Sequence, residues 1–547
     1  MNLLNISNTH VLILSAGKIV EELEGIFGSI SSGLIPINGK PIIFRIIDKL
    51  LEEGFSNFSI TIGFKKEQLV QILEERYSKK IKLNLIEVDY TKSPGNSILD
   101  SIKKIFEEKL LVILGDTLVE ENISSIITKN EDFVLTSTNF QNPEKWCVIK
   151  QNRGYVETII DKKKGLEKNN LEALIGVYYF SNLNDLKNLT KNLSSDKIEI
   201  SNLIEEYKQK HPIKTILCKG WYDVGHIENY YYSKKALLQA RYFNYLNFDE
   251  ILGIVTKTSD DTDKLKDEIN WYKKIPPELS ILTPRVIDYN NSTRPYIKLE
   301  YIGYPTLAEL WLYSDIHSEI WKNIIKRFLD VINLFKKYRG PVSFDDYQLM
   351  YVHKTEQRVK TLLEESKQFR ELFNNKKIII NNIEYKNWPI IKEKIYSKIK
   401  RLYNNKNNYF LHGDLCFSNI LYDIHNGIFK LIDPRGKWGS TTFGDLKYDI
   451  AKLRHSVVGN YDSIIDGLYS ISYNNEKIII DIFKPRIYQE ISRYFDELVG
   501  LNWNLNDIKL IEGLLFISML PLHKDNLDKQ IAFFSIGIQR LNEVIDN

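Results

Sequence analysis

Three side chains between His412 and Gly436 have the types and spacing that phosphoryl transfer needs. The stretch His412-Gly413-Asp414-Leu415-Cys416-Phe417-Ser418-Asn419-Ile420-Leu421 offers a carboxylate, Asp414, that can orient or deprotonate an attacking hydroxyl. Asn419, five residues on, presents an amide oxygen able to hold a magnesium ion. The apolar run 428–432 reads as a strand, and Asp433 at its end can hold the same metal and a second one against a triphosphate. A solvated loop with incidental polar residues is the competing reading, and a lone His-Gly-Asp would favour it. Two further groups at workable distances, with a strand ahead of the second Asp, favour transfer chemistry.

Elements on both sides must position this stretch. Downstream, Gly444-Asp445-Leu446-Lys447-Tyr448-Asp449 opens a helix. Arg435, Arg454 and His455 are candidates to face the acceptor, although a lone histidine is commonly a core residue. Upstream, residues 311–408 read as helical, with 374–377 and 404–408 as exposed loops. Tyr351, Lys354 and Arg358 share one helical face there, either a basic stripe aimed at an anionic ligand or a solvated surface. Earlier still, 251–257 is β-like with Gly253 inside it. Residues 264–274 are helical, with Leu265, Ile269 and Tyr272 on one face and Glu268 on an adjacent one. A strand is expected at 296–301, and a helix from Thr306.

Together these residues resemble the aminoglycoside phosphotransferase/choline kinase-like enzymes. The resemblance implies a bilobal protein-kinase-like fold, with a small lobe at 241–305 and a large helical lobe at 306–547. It makes Lys257 the strand lysine that neutralises the phosphates of ATP, and Glu268 its helix partner. Glu300-Tyr301-Ile302 becomes the hinge whose backbone meets adenine, with Glu300 and Ile302 as the contacts. Asp414 becomes the catalytic carboxylate, Asn419 and Asp433 the Mg2+ ligands, and Asp449 a brace for the catalytic loop. A surface pair worth a fraction of a kcal/mol is the alternative for Lys257 and Glu268. The chain departs from the family in one respect: no Gly-rich phosphate loop precedes Lys257, and 249–253 leaves little room for one.

Composition sets wider bounds. A chain of 547 residues suggests three or four domain-sized units. Its 43% hydrophobic and 27% charged content is ordinary for soluble globular protein, and a net charge of +3 argues against a dedicated nucleic-acid binder. Cys147, Cys218 and Cys416 have neither metal spacing nor a disulfide pattern, which suits a reduced compartment. No window reaches the length of a spanning helix; 510–522 comes nearest but is interrupted by Glu512, Gly513 and Pro521. The expectation is a cytoplasmic protein with no membrane insertion and no nucleic-acid partner, its oligomeric state left open.

The N-terminal 240 residues read differently. Strand-like runs at 11–14, 58–62, 82–88 and 110–114 alternate with helical ones at 41–53, 67–75 and 97–107. That alternation implies an α/β fold with a mostly parallel sheet, whose ligands bind at the carboxyl ends of strands. Three stretches fall there. Leu14-Ser15-Ala16-Gly17-Lys18 lets backbone amides approach phosphates. Ser93-Pro94-Gly95-Asn96-Ser97 can seat a base or ribose. Leu114-Gly115-Asp116 ends a strand in a carboxylate. A buried strand at 173–180 follows, and Trp221-Tyr222-Asp223-Val224-Gly225-His226 supplies a second carboxylate before a helix at 227–242. The aromatic residues at 230–232 and 242–245 suit either base stacking or packing, with packing the commoner role.

With Leu34-Ile35-Pro36-Ile37-Asn38-Gly39-Lys40-Pro41 and Asp161-Lys162, this half resembles sugar-phosphate and choline-phosphate nucleotidyltransferases. The resemblance implies a Rossmann-like domain at 1–240 that transfers a nucleotidyl group to a phosphomonoester and releases pyrophosphate. Asp116 and Asp223 would hold Mg2+, Lys162 would meet the acceptor phosphate, and Ala16, Gly17, Gly95, Asn96 and Ser97 would line the nucleotide. Analogy with fused kinase–cytidylyltransferases favours CTP. Two family cations are missing: Ala16-Gly17 continues with Lys18-Ile19-Val20-Glu21 instead of a Gly-x-Arg-type turn, and Gly33 stands where a lysine is usual. Lys18 or Lys40 is the candidate substitute, though lysine does not match arginine's bidentate grip.

The two halves together point to a bifunctional enzyme. One half would phosphorylate a small alcohol (sugar, polyol or amino alcohol) with ATP, and the other would join the phosphate to a nucleotide for surface polysaccharide synthesis. A kinase carrying a degenerate nucleotide-binding domain is the alternative.

Overall fold

The computed structural model describes residues 6–127, 131–191, 193–238 and 244–546. The chain divides into two compact units, 1–237 with 313–315, and 238–312 with 316–547. The sequence boundary at 240/241, and Tyr242 and Phe243 of the aromatic stretch, lie outside the described residues.

The first unit is built on a nine-stranded sheet. Its strands are β1 (Thr9–Leu14), β2 (Asn57–Ile62), β3 (Lys82–Glu87), β4 (Lys109–Leu114), β5 (Phe133–Ser137), β6 (Cys147–Asn152), β7 (Tyr155–Asp161), β8 (Glu172–Phe180) and β9 (Lys214–Leu217), in the spatial order β3-β2-β1-β4-β8-β5-β9-β7-β6. The strands β3, β2, β1 and β4 are parallel, and Val11, Leu12 and Ile13 in β1 are wholly buried, as a continuous apolar run in a covered parallel strand requires. Beyond β4 the sheet is mixed. β8 runs antiparallel to β4 and β5, and only β5–β9 is again parallel. The sequence expectation of a mostly parallel sheet therefore holds for the first four strands only. The change follows from β6 and β7, which form a hairpin closed by Arg153-Gly154, both at positive φ.

Helix α1 (Pro94–Ile102) starts and stops earlier than the expected 97–107. Proline at its first turn costs no hydrogen bond, while Glu107 and Glu108 would oppose the dipole of a longer helix. A short ribbon pairs Thr117–Val119 with Trp221–Asp223, setting Asp223 opposite Thr117 and so beside Asp116 in the chain. The following helix, α2 (Ile227–Ala236), has three acid or base residues in its end turns, Glu228, Lys234 and Lys235, placed to suit its dipole.

The second unit opens with the antiparallel strands β10 (Asn244–Asp249), β11 (Ile254–Ser259), β12 (Val286–Asn290) and β13 (Tyr296–Glu300), ordered β10-β11-β13-β12. Gly253, at φ +63°, closes the β10–β11 hairpin and does not lie inside a strand as the sequence suggested. Helix α3 (Thr262–Lys274) buries Leu265, Ile269, Trp271 and Tyr272, and Glu268 with them. After helix α4 (Lys354–Glu365) come the hairpin β14 (Ile420–Asp423) and β15 (Ile428–Leu431), then helices α5 (Lys447–Val457), α6 (Leu505–Met519) and α7 (Leu527–Ile545). Helix α6 is apolar on all sides because its neighbours cover it. Ile508, Ile511, Leu514, Phe516 and Ile517 are buried, each contributing about 1.5–3 kcal/mol. Among the described residues, no helix is long and apolar enough to cross a membrane.

One sheet escaped the sequence reading. Lys377–Ile380 and Ile383–Lys386 form a hairpin inside the stretch expected to be helical, and its first strand pairs with Lys477–Ile482. Asn381 and Asn382, at φ +49° and +65°, make its two-residue turn. Asn tolerates that conformation, so Ile-Ile-Ile-Asn-Asn was the available signal.

Candidate functional site

In the second unit, β11 and α3 bring Lys257 and Glu268 together in the interior. The Lys257 ammonium lies 2.9 and 2.7 Å from the two Glu268 oxygens and 2.8 Å from Asp433 Oδ1. Burial opposes the charge on Lys257, but Asp433 and Glu268 hold the proton on, and its pKa ends above the ordinary lysine value. The surface-pair reading is thereby excluded, since both side chains are buried. Asp433 has φ +55°, a conformation that costs a non-glycine residue about 1–2 kcal/mol and that aspartate tolerates better than most.

The loop carrying Asp414 is braced by α5. Asp449 accepts the backbone N–H groups of His412 (2.9 Å) and Gly413 (2.8 Å), the role expected for it. The Asn419 amide nitrogen donates to the Asp414 carbonyl (2.8 Å) and carboxylate (3.3 Å). Its oxygen Oδ1 is buried with no hydrogen-bond partner among the described residues. An orphaned buried oxygen is the kind of donor a hard cation takes, while Asp433 Oδ1 is held by Lys257. Asp414 pairs with Lys452 at 2.9 Å. Burial raises the carboxyl's pKa, but Lys452, His412 and Arg435 pull it below the usual carboxylate range, so Asp414 is ionised at neutral pH. His412, buried with Nε2 3.1 Å from the Ile432 carbonyl, is pushed down to about 4.

Glu300 ends β13, and its N–H donates to the Arg285 carbonyl at 2.9 Å, while Ile302 lies in the irregular segment that follows. Arg435 stacks its guanidinium 4.1 Å from the Trp438 ring centroid. Arg454 does not face an acceptor. It is buried and pairs with Asp496 (2.8 Å) and Glu512. His455 is a core residue, fully buried against Tyr461 and Phe516. Lys452 was missed, although it lies three residues after Asp449 and so on the same helical face.

In the first unit, Asp116 and Asp223 converge. A methyl group at Gly225 would stand 2.6 Å from Asp116 Oδ2 and 3.4 Å from Asp223 Oδ1, which accounts for glycine there. Asp223 accepts from Gly225 N–H (3.0 Å) and Asn229 (2.8 Å), and its Oδ2 lies 2.8 Å from His226 Nδ1. Burial first, and then the charge of Asp223, push Asp116 up to about 6. Two carboxylates packed on the same glycine, Asp223 raising the proton affinity of Asp116, are a donor pair of the kind a divalent cation uses. The roles of His226 and Asn229 were not legible in the sequence, although His226 stands inside the Trp221–His226 motif.

The phosphate-side candidates are arranged less openly. Ala16 and Gly17 lie in the turn after β1, and their carbonyls accept from Phe64 and Ser32 N–H at 2.9 and 3.0 Å. Lys18 pairs with Glu24 at 2.9 Å. A Cβ at Gly33 would meet Ser15 Oγ at 2.1 Å, so the position of the absent lysine is closed by packing. Gly95 lets α1 approach the 198–199 backbone, where a Cβ would meet the Ile198 carbonyl at 2.3 Å. Asn96 spends its side chain on Ile198 N–H (2.9 Å) and the Ser195 carbonyl (2.8 Å), and Ser97 is buried. Lys162, exposed and at φ +42°, has no carboxylate within 4 Å among the described residues.

Residues 11–240 match the family described as Nucleotidyl transferase. The first unit is a nucleotidyl transferase domain. "Bifunctional protein GlmU" of Methanococcus maripaludis is 30% identical to it over 223 residues, covering 39% of this chain and 51% of that protein. "UTP--glucose-1-phosphate uridylyltransferase AglF" of Haloferax volcanii is 21% identical over 228 residues, covering 40% of this chain and 92% of that protein. The solved structure of a UDP-glucose pyrophosphorylase complexed with UDP-glucose has 19% identity and a TM-score of 0.37, covering 43% of this chain and 99% of that one. The chain spans about half the length of the curated relatives it matches first.

Proposed function

We propose that the chain carries out two successive transfers. In the second unit a small alcohol attacks the γ-phosphorus of ATP. The new O–P bond forms, the bond to the ADP oxygen breaks, and the hydroxyl proton passes to Asp414 or onward to water. Lys257 meets the nucleotide's phosphates, Glu268 keeps that lysine placed, and Asp449 holds the loop in register. In the nucleotidyl transferase domain, an oxygen of the resulting phosphomonoester attacks the α-phosphorus of a second NTP, and pyrophosphate leaves. Lys162 is the cation available to the incoming phosphate. Asn419 and Asp433 in one unit, and Asp116 and Asp223 in the other, would hold Mg2+, which supplies charge neutralisation at the phosphates. The product is an NDP-activated building block of the kind used in surface polysaccharide assembly.

The observation that carries this reading is that each unit contains an acid set of its own, Asp414, Asp433 and Glu268 in one and Asp116 and Asp223 in the other. Nucleotide choice is a direct arm of the test: the sequence resemblance favours CTP, while AglF is named for UTP. Candidate alcohols are incubated with ATP, and their phosphates with each NTP, with ADP and pyrophosphate measured separately. Asp414→Asn is expected to stop ADP formation and spare pyrophosphate release from supplied phosphate. Asp116→Ala is expected to do the reverse. Collapse of both activities in either well-folded variant overturns the two-site reading.

A second reading is favoured by the Lys18–Glu24 pair and the packing of Gly33 on Ser15. It makes the nucleotidyl transferase domain a binding module, and pyrophosphate release then stays at background for the native protein and the Asp116→Ala variant alike.

A further inference from the structure

A group of basic side chains beside Asp414 has no role in the steps above. Lys354 opens α4, with its ammonium 4.5 Å from the centroid of the Trp438 ring and 5.4 Å from that of Tyr448. These two rings meet edge to face, their centroids 4.5 Å apart. Arg435 lies against the same indole at 4.1 Å. A Cβ at Gly413, the residue before Asp414, would stand 2.8 Å from Arg435 Cβ and 3.2 Å from Trp438 Nε1, so the group adjoins the catalytic loop. Arg358, one turn after Lys354, donates to the Ser518 carbonyl at 3.1 Å.

Charge around this group does not balance. Among the described residues, Lys354, Arg358 and Arg435 have no carboxylate within 4 Å. Asp414 is committed to Lys452, and Asp449 to two backbone N–H groups. Among the described residues, the buried donors Arg435 Nε and Trp438 Nε1 have no partner. Burial, and then Arg435, Arg358 and Lys452, drive the Lys354 pKa well below the ordinary lysine value against the pull of Asp414; Arg358 is lowered by burial and by Arg435, against Tyr448 and Asp414. Cations gathered like this repel one another unless an anion joins them. A positively charged amino alcohol would add to the repulsion, and a neutral polyol would leave it unrelieved.

We propose that the phosphoryl acceptor is an acidic alcohol, whose carboxylate or phosphate is bound by Lys354, Arg358 and Arg435 beside Trp438. This rests on the transfer reading above and narrows its acceptor class. The anion anchors the molecule while its hydroxyl reaches Asp414. The hydroxyl oxygen bonds to the γ-phosphorus, ADP leaves, and the proton goes to Asp414 or water. The product then carries the original acidic group and a new phosphate.

The test uses the full chain with Mg2+ and ATP, or a non-hydrolysable ATP analogue. Acidic probes are glycerate and glycerol 3-phosphate, neutral ones glycerol and ribitol, and cationic ones ethanolamine and choline. Binding is read from the shift in unfolding temperature with the analogue, and turnover from ADP release. Acidic probes are expected to bind and turn over, and neutral and cationic ones to do neither. A preference for glycerate assigns a carboxylate, and a preference for glycerol 3-phosphate a phosphate. Lys354→Met, which keeps an apolar stem against Trp438, should raise the acceptor KM at least tenfold and leave the KM for ATP within about twofold. Arg358→Gln is the second variant should Lys354→Met fail to fold. Acidic probes that bind through Lys354 without ADP release sink the kinase reading and leave the anion site standing. Turnover confined to neutral or cationic alcohols, no binding of either acid, or a rise in the KM for ATP in place of the acceptor's, overturns the anion site.

Discussion

The two units manage their acidic side chains in opposite ways. In the second unit every carboxylate near the chemistry already has an internal partner: Asp433 and Glu268 share Lys257, Asp414 has Lys452, and Asp449 has two backbone N–H groups. In the first unit Asp223 has Gly225 N–H, Asn229 and His226 as partners, but it crowds the same glycine as Asp116, and among the described residues neither carboxylate has a lysine or arginine within 4 Å. The first arrangement holds its geometry without ligand. The second is electrostatically incomplete and gains most from a bound cation. An acid pair of that kind leaves the protein with a site whose stability depends on what occupies it.

The contrast can be broken with single substitutions, and the largest effect is expected at Asp414. Asp414→Asn keeps the size of the side chain but removes its charge and leaves Lys452 buried without a counter-ion. ADP formation should fall about 10²–10⁴-fold, with pyrophosphate release from supplied phosphate unchanged. Asp449→Ala comes next. It orphans two buried N–H groups at about 1–3 kcal/mol each, so urea titration should show a loss of a few kcal/mol alongside a slower kinase step. An unchanged stability would mean that the loop is held elsewhere.

Gly225→Ala probes the other side of the comparison. Its methyl would press on Asp116 Oδ2 at 2.6 Å, so the carboxylates must move apart. Pyrophosphate release should drop at least tenfold while ADP formation is unaffected. Equal loss of both activities would show that the two acid sets are not independent.

What the sequence made legible follows from how local each feature is. Asp414, Asn419 and Asp433 lie in one short stretch whose hairpin can be read from Ile428–Leu431, so their grouping is visible in the residue order itself. Strands β1, β2 and β4 are equally plain as apolar runs. Hidden features depended on distant partners. Nothing near Asn96 announces that residues 195–198 will occupy its side chain, and nothing near Gly33 announces Ser15. The antiparallel half of the large sheet was hidden for the same reason, because strand direction is decided by connections and not by strand composition. The basic stripe of Lys354 and Arg358 was visible as helical spacing, but its orientation depended on Trp438 and Tyr448, far along the chain.

The smallest expected effect concerns histidines, and it sharpens the same comparison. His226 in the first unit has its pKa raised by its hydrogen bond to Asp223. His523 in the second unit is pushed the other way, down to about 4, by burial and then by Lys529. A histidine whose folded pKa lies below its unfolded value of 6.5 takes up a proton more readily when the chain unfolds. Its contribution therefore weakens the fold as pH falls from 6.5 towards 4, and changes no further below that. Other groups titrate in this range, so the native protein alone does not isolate it; the difference between the native protein and His523→Gln does. That stability difference, from urea titrations at pH 7.5 and pH 5, should move by about 1 kcal/mol against the native protein, after allowance for partial exposure of the ring. A difference that stays constant with pH would mean that the ring near Phe533 is solvated enough to titrate normally, and that burial alone does not distinguish the histidines of the two units.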